Sequence, residues 1–392
     1  MIDSIRTENI PIFCWLDIQD IESGALDQLK NITNLPFAFH HTVALPGLHQ
    51  GYGMPIESVL ATNSDVVVPF AIGSDIGCGM CYINTDIPAE LLIDNMDLRK
   101  KVIGDIRKVI PVGFNKHKKP QDKELMPNQY IGIGSIVSTE YDNALLQLGT
   151  LGGGNHFAEL QSNETGNLNV MIHSGSRHMG NTICNFYHKR AKEINEVRYY
   201  NIPDHLNFLH KKDEEYDDYI YDMNYCIEYA IANRSLMMTR IIEVIKNNIG
   251  SFEIIDSVDT AHNYASLENH FGKNVLVHRK GAISAREGEI GIIPGSQGTS
   301  SYIVKGLGNK LSFTSCSHGA GRRMSRKKAK KVLDLKQVQK NLNDVGILHS
   351  VRTVKDLDEA PEAYKDIDKV IILQDDLVKP ISKLTPFAVV KG

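Results

Sequence analysis

Hydrophobic and polar positions along the chain switch between a helical and an extended period, with no fixed repeat. Apolar residues at helical spacing predict a helix over about 88–109, in PAELLIDNMDLRKKVIGDIRKVI, with a proline in its first turn. Two more are predicted over about 181–198 and about 215–248, the last with Met223, Ile227, Ala230, Ile231 and Met238 on one apolar face. Short apolar runs read as buried strands: VVVPFAI, NVMIH, FEIIDSV, NVLVH and KVIIL. No low-complexity linker or composition break interrupts the pattern, which predicts one continuous domain over residues 1–392.

Glycine punctuates this pattern where the strands are predicted to end. The segments are GSDIGCGM (73–80), GTLGGGNHF (149–157), HSGSRHMG (173–180), HRKGAIS (278–284), PGSQGTSS (294–301) and SHGAGR (317–322). Glycine permits close approach of backbone to ligand. Six such loops, each beside a His, Asp, Cys, Asn or Arg, predict strand ends converging on one site.

Composition changes this picture little. Apolar residues make up 42% and charged residues 23%, which fits a folded chain rather than a disordered one. The formal charge of −4 rules out a histone-like blanket of cations, yet 43 Lys and Arg suffice for a local basic groove. No apolar run reaches membrane-spanning length, and MIDSIRTENIPIF lacks the cationic start and apolar core of a signal peptide. A cytoplasmic location is expected, with the six cysteines free or metal-bound. KHKKPQDK, from Lys116 to Lys123, reads as a solvated loop and, in an RNA-binding protein, equally as a backbone contact.

Asp75 and Cys78 sit three residues apart in SDIGCGM, where carboxylate and thiolate can reach one cation or bridge two. His156, His173 and His262 occupy separate loops and supply imidazoles. This donor set suits Mn, Zn, Fe or Co and disfavours a Mg-only site. Cys78-Gly-Met-Cys81 is formally a CxxC, which leaves a redox dithiol as an alternative, but a zinc knuckle would need a second CxxC.

Arg177, Arg279, Lys280, Arg322, Arg323 and Arg326 lie in or beside the glycine loops and predict an anionic ligand. The SRKKAKK tail reads as an exposed helix face rather than a binding element. There is no GxxxxGK[ST] loop and no KxDG lysine, so a covalent nucleotide would need another nucleophile. His318, among Ser, Gly and Ala in SCSHGAGR, has uncrowded space, and imidazole can attack phosphorus.

Together the motifs resemble the RtcB family of GTP-dependent RNA ligases over nearly the whole chain. They are HQGYGMPI, SDIGCGM, LGTLGGGNHF with Glu159, HSGSR, DMNYCIEYAIANR, HNYA, HRKGA, IPGSQGTSSYIVKGLGN, SHGAGRRMSR, EAYKDID and a terminal VVKG. The resemblance implies an α+β fold with mixed β-sheets and flanking helices. It implies two Mn²⁺ ions on Asp75, Cys78, His156, His173 and His262, with the Cys78 thiolate as bridge, and His318 as the residue that becomes guanylylated. Asn155, Phe157 and Glu159 would line the guanosine site, with Pro294, Gly295, Ser296, Gln297 and Ser301 completing the pocket. Asn263, Gly319, Ala320, Gly321, Tyr364 and the penultimate Lys391 match further GTP contacts, so the terminus would fold into the site.

The implied substrates are RNA 3′-phosphate or 2′,3′-cyclic phosphate ends and 5′-hydroxyl ends, held through phosphates with little sequence reading. A monomer is expected, with an archease-type activator as a candidate partner. Gln297 stands where the family pattern has methionine and His178 where many members have glycine, and 116–130 and 199–222 look lineage-specific. A metal-dependent phosphoesterase and a non-catalytic RNA-end-binding module are the alternative readings of the same residues.

Overall fold

The computed structural model describes residues 3–128, 135–198, 200–203 and 205–392. Residues 129 and 130 of the segment 116–130 and residues 199 and 204 of the segment 199–222 therefore lie outside the described residues. Two large sheets organise the chain, and the class is α+β, as expected. One is a mixed sheet of six strands in the order Asp3–Ile5, Ile12–Cys14, Ala38–His49, Ile56–Asn63, Lys273–Lys280 and Asn263–His270. Within it Ile12–Cys14 runs parallel to Ala38–His49 and the other pairs are antiparallel.

The second sheet has seven antiparallel strands in the order Ile254–Ala261, Gly79–Pro88, Asn167–Ser174, Phe157–Ser162, Val378–Lys391, Ser301–Gly306 and Ile290–Ile293. Its register sets Phe157 between His173 on one neighbouring strand and Lys391 on the other. A two-stranded ribbon, Ala282–Ser284 with Ser315–Ser317, delivers the chain to His318.

The helix Glu214–Ile249 backs the second sheet. Acidic residues at its start and Gly250 (φ 120°) at its end suit the helix dipole and the reversal. Buried Tyr219, Met223 and Cys226 face one apolar cluster, and Met237, Ile241 and Ile245 face another that includes Val170 and Ile172 of the sheet. Between the two clusters the helix buries Asn233 and Arg234 completely.

Several expectations need correction. The predicted helix over 88–109 is two, Glu90–Ile93 and Met96–Val109, because the Asn95 side chain caps the second by accepting from Leu98 N. Pro88 ends a strand and does not open a helix. VVVPFAI keeps only Val66–Val67 extended, since Pro69, which has no N–H to donate, starts a 3₁₀ turn. KVIIL belongs to a helix, Ile367–Ile372, capped by Asp366 and burying Ile367, Val370 and Ile371 at helical spacing. FEIIDSV is a strand but an edge one, with Ile254 and Ile255 exposed. Ile231, expected on the apolar face, is also exposed. NVMIH and NVLVH are strands as read, and the helices Arg177–Val197 and Glu214–Ile249 stand where expected.

Candidate active site

The glycine loops do converge, and the clamp that gathers them is the Asn233-Arg234 pair. Asn233 accepts from the backbone N–H of Gly149 (2.7 Å) and Thr150 (3.1 Å) and donates to the carbonyls of Thr150 (3.2 Å) and Gly175 (3.1 Å). Arg234 donates to the carbonyls of Gly77 and Ser174, each at 3.0 Å, and its charge is balanced by Asp259 at 2.6 and 2.8 Å. Two adjacent side chains thus hold the loops 73–80, 149–157 and 173–180 together.

Those loops carry a continuous row of donors. The Asp75 carboxylate lies 2.9 Å from His156 Nε2, and Cys78 Sγ lies 3.3 Å from both His156 Nε2 and His173 Nε2. His173 Nε2 is 3.4 Å from His262 Nε2, and the rings of His262 and His318 are 4.5 Å apart. Gly175 and Gly152 allow this density, because a Cβ would come within 2.1 Å of Asp75 Oδ1 at the first and of His156 Nδ1 at the second.

The protonation pattern suits a cation. His173 Nδ1 is 3.1 Å from the Asn155 carbonyl, which can only accept, so Nε2 turns a lone pair toward Cys78 and His262. Burial, and then the neighbouring histidines, hold His173 and His262 well below the usual imidazole range. Burial, and then the Asp75 carboxylate, push the Cys78 thiol well above its usual range. Burial would raise Asp75 as well, but His156 beside it holds its carboxyl below normal. Cys78, His156 and His173 bring their ligand atoms within 4.8 Å of one another, all buried. Atoms around a tetrahedral centre with bonds of about 2.0–2.3 Å lie roughly 3.5 Å apart, close to the spacing seen here. The residues therefore fit a metal ion, whose binding would displace the thiol proton.

His318 closes the row. Its Nδ1 is 2.8 Å from Oε1 of Glu57, a fully buried residue that also accepts from Gly319 N (3.2 Å) and Gly47 N (3.1 Å). A carboxylate taking three donors fixes the proton on Nδ1 and leaves Nε2 with its lone pair, without a protein hydrogen bond among the described residues. Glu57 adopts φ 65° within its strand, an uncommon conformation for a non-glycine residue. Gly47 and Gly281 make room: a Cβ on the first would stand 2.5 Å from the Glu57 carboxyl carbon, and one on the second 3.0 Å from His318 Cε1. The sequence reading missed Glu57. Its only signal was one acidic residue in the apolar run IESVLA.

The remaining predicted residues form the wall beside His318. Asn263 joins the loops by donating to the Asp75 carbonyl (3.1 Å) and accepting from Gly281 N (2.8 Å). Ala320 N donates to the Pro294 carbonyl (3.0 Å), Gly319 packs on Pro294, and Gly321 (φ 69°) packs against Gly47. Gly295 N donates to Ser301 Oγ (3.3 Å), which also receives Gln161 Nε2 (3.3 Å), and Gln161 donates to Glu159 (2.9 Å). Burial raises the Glu159 carboxyl to about 8, despite Gln161 and Lys391 nearby. Ser296 is held by Thr299 (2.7 Å) and Gln297 donates to the Glu359 carbonyl (2.8 Å).

Glu359, also unforeseen, is the hub of this wall: its carboxylate meets Arg326 (3.0 Å), Arg322 (3.3 Å), Lys391 (3.4 Å) and the Tyr364 hydroxyl. Arg322 additionally lies over the Tyr364 ring at 5.0 Å.

Two of the predicted anion ligands are engaged elsewhere. Arg279 is fully buried against Glu268, at 2.5 and 3.2 Å, and donates to the Phe313 carbonyl (3.0 Å). Lys280 caps the carbonyls of Tyr52 (2.6 Å) and Phe70 (2.9 Å). Arg177 stays at the site, where burial holds its guanidinium below the usual range and the Asp75 carboxylate partly offsets this. Arg323 is exposed and donates to the Glu362 carbonyl (2.7 Å). SRKKAKK forms a helix with an exposed face, Arg326–Val332, capped by Ser325. His178 is exposed, 4.0 Å from Glu140. Cys78 and Cys81 are unbonded, with Cys81 in register opposite Asp259 and Ile172. No helix among the described residues is long and apolar enough to cross a membrane.

Comparison with known proteins agrees with this arrangement. A family model described as "tRNA-splicing ligase RtcB" matches residues 28–135 and 132–392. The chain is 35% identical over 411 residues to the "RNA-splicing ligase RtcB" of Escherichia coli (strain K12), with 99% of each covered. It is 31% identical over 460 residues to the "tRNA-splicing ligase RtcB" of Nanoarchaeum equitans (strain Kin4-M), covering 98% of this chain and 96% of the other. Loops that meet around one buried Cys-His cluster, and a match along almost the whole length, place the chain in the RtcB family of tRNA-splicing ligases.

Proposed function

We propose that this chain acts as one ligase domain, over residues 1–392, and joins RNA 3′-phosphate or 2′,3′-cyclic phosphate ends to 5′-hydroxyl ends through a covalent His318–GMP intermediate. The observation that carries the reading is the placement of His318: Nδ1 fixed by Glu57, ring 4.5 Å from His262 at the end of the donor row. Asp75, Cys78, His156, His173 and His262 would hold two Mn²⁺ ions. Bound there, the ions would draw charge from the reacting phosphate.

The protein's own part rests on its geometry. His318 Nε2 forms a bond to the α-phosphorus of GTP as the bond to pyrophosphate breaks. The proton stays on Nδ1, which donates to the Glu57 carboxylate, and that carboxylate stabilises the cationic ring that results. GMP then passes from His318 to an RNA 3′-phosphate, freeing the imidazole. Attack by the 5′-hydroxyl of the second strand releases GMP and closes the phosphodiester. A cyclic phosphate must be opened by water beforehand. Glu159, on the wall with Ser301 and Lys391, faces the guanine base, and Asn155 faces the phosphate. Arg177, Arg322, Arg326 and Lys391 supply the positive field that phosphates require.

The test uses α-labelled GTP and Mn²⁺. Wild-type protein should take up label that survives denaturation and is lost in mild acid, and His318→Ala should take up none. Label that persists in this variant would remove His318 from its role. Unlabelled wild type that releases phosphate from RNA ends would identify a metal phosphoesterase instead.

A further inference from the structure

Phe114 is the most exposed large apolar side chain among the described residues, at 105% of its reference area. A single exposed apolar residue is ordinary. What sets Phe114 apart is its mounting.

It sits at the tip of a tight turn: Asn115 N donates to the Val112 carbonyl (3.2 Å), and Gly113 takes φ 65°. The turn is fastened on several sides. Val112 bridges to Leu151, Arg177 donates to the Gly113 carbonyl (2.6 Å), and His117 N donates to the Leu146 carbonyl (2.9 Å).

The fastening places the turn on the rim of the catalytic row. A Cβ on Gly152 would lie 2.1 Å from His156 Nδ1 and 2.5 Å from Arg177 Nη1, so the Arg177 that holds Gly113 also abuts the metal loop. A Cβ on Gly392 would lie 2.4 Å from Gly152 O and 2.6 Å from Gly113 N, so Lys391 arrives at the same rim from the nucleotide side. Beyond Phe114 the chain reads NKHKK, with Lys116, Lys118 and Lys119 exposed. An open aromatic ring on a fixed backbone, followed by cations, is the arrangement by which proteins hold single-stranded nucleic acid without reading its sequence: a base stacks and phosphates pair.

We infer that Phe114 is a stacking platform for a base of the single-stranded RNA close to the end being joined, and that Lys116, Lys118 and Lys119 follow its phosphates. This rests on the RNA-ligase reading and adds a subsite to it. Because the turn is already ordered, little conformational freedom is lost when the base docks.

The experiment uses full-length protein and a short single-stranded RNA ending in a 3′-phosphate, with 2-aminopurine near that end. In Phe114→Ala the KM for this RNA should rise about tenfold, the loss of one base–ring stack, while kcat at saturating RNA holds. Quenching of 2-aminopurine by wild type and by Phe114→Tyr should vanish in Phe114→Ala. The double variant Lys118→Ala/Lys119→Ala should show a shallower fall of affinity with salt. Self-guanylylation, which needs no RNA, reports on the same samples whether the nucleotide site is intact. An unchanged KM and unchanged quenching in Phe114→Ala overturns the platform, and the ring would then serve some other contact. A wild type that takes GMP yet neither binds nor joins RNA ends overturns the ligase reading itself, and the platform with it.

Discussion

His318, the proposed nucleophile, is held by a residue 261 positions away in sequence. Glu57 is the acceptor for His318 Nδ1 and for two backbone N–H groups, so its replacement separates charge from shape. Glu57→Gln keeps the volume but exchanges a charge-assisted bond for a neutral one, a loss of roughly 1–1.5 kcal/mol. Guanylylation by this variant should slow by about fivefold to tenfold, measured as the single-turnover rate of label uptake. An unchanged rate would mean that His318 is oriented by something else. Gly47→Ala should act in the same direction, because its Cβ and the Glu57 carboxylate cannot share one place. Cys78→Ala removes a proposed metal ligand, the sulfur that lies 3.3 Å from both His156 and His173, so Mn²⁺ binding, followed by titration calorimetry, and guanylylation should be lost together. Loss of ligation alone would contradict a metal role in the first step. The sequence exposed Cys78 and His318 because glycines flank both. It hid Glu57, because a carboxylate in an apolar strand looks like a solvent-facing exception until the fold shows that it faces inward.

At the level of elements, the site is only as ordered as the helix behind it. Asn233→Ala would leave the N–H groups of Gly149 and Thr150 and the Gly175 carbonyl without partners in a fully buried place. Unmet buried polar groups cost about 1–3 kcal/mol each. Denaturation should shift by at least about 2 kcal/mol, and Mn²⁺ affinity should fall although no ligand has changed. Retention of both would show that sheet pairing alone fixes the loops. This clamp was present in the sequence as ANR, but its meaning was not, since nothing in a helical pattern says which loops a buried Asn will reach. Periodicity served well where one period ran long, as in Glu214–Ile249. It failed where runs were short: KVIIL is apolar enough for a strand, and only the Asp366 cap and the burial of Ile367, Val370 and Ile371 at i, i+3 and i+4 reveal a helix. Arg279 failed for a related reason, since an arginine beside glycine signals a phosphate only if no carboxylate is nearer, and Glu268 is.

For the whole molecule, the second sheet makes the chain's far end part of the site. The strand Val378–Lys391 runs between Phe157–Ser162 and Ser301–Gly306, and Glu359 ties Lys391 to Arg322 and Arg326. Burial alone would raise the Glu359 carboxyl, but Lys391, then Arg326, the Tyr364 hydroxyl and Arg322 pull it down to about 2, from an ordinary value of 4.5. A carboxyl depressed on folding means that the unfolded chain binds more protons between those two values. Its contribution to stability is therefore complete above about pH 4.5 and fades as pH falls toward about 2. The size is about 2–3 kcal/mol, discounted because Arg326 is half exposed and screened. Glu359→Gln should lower stability at pH 7 by that amount, with the three cations left facing one another. The gap between variant and wild type, measured by urea unfolding, should narrow at pH 3. A gap that stayed constant across this range would mean that the Glu359 contacts act through packing rather than charge. Because Lys391 is one of those contacts and lies beside Phe157 in register, the variant should also bind GTP more weakly at neutral pH. The defect should appear in the KM for GTP more than in the rate at saturation, since the lysine is displaced while His318 and Glu57 are not.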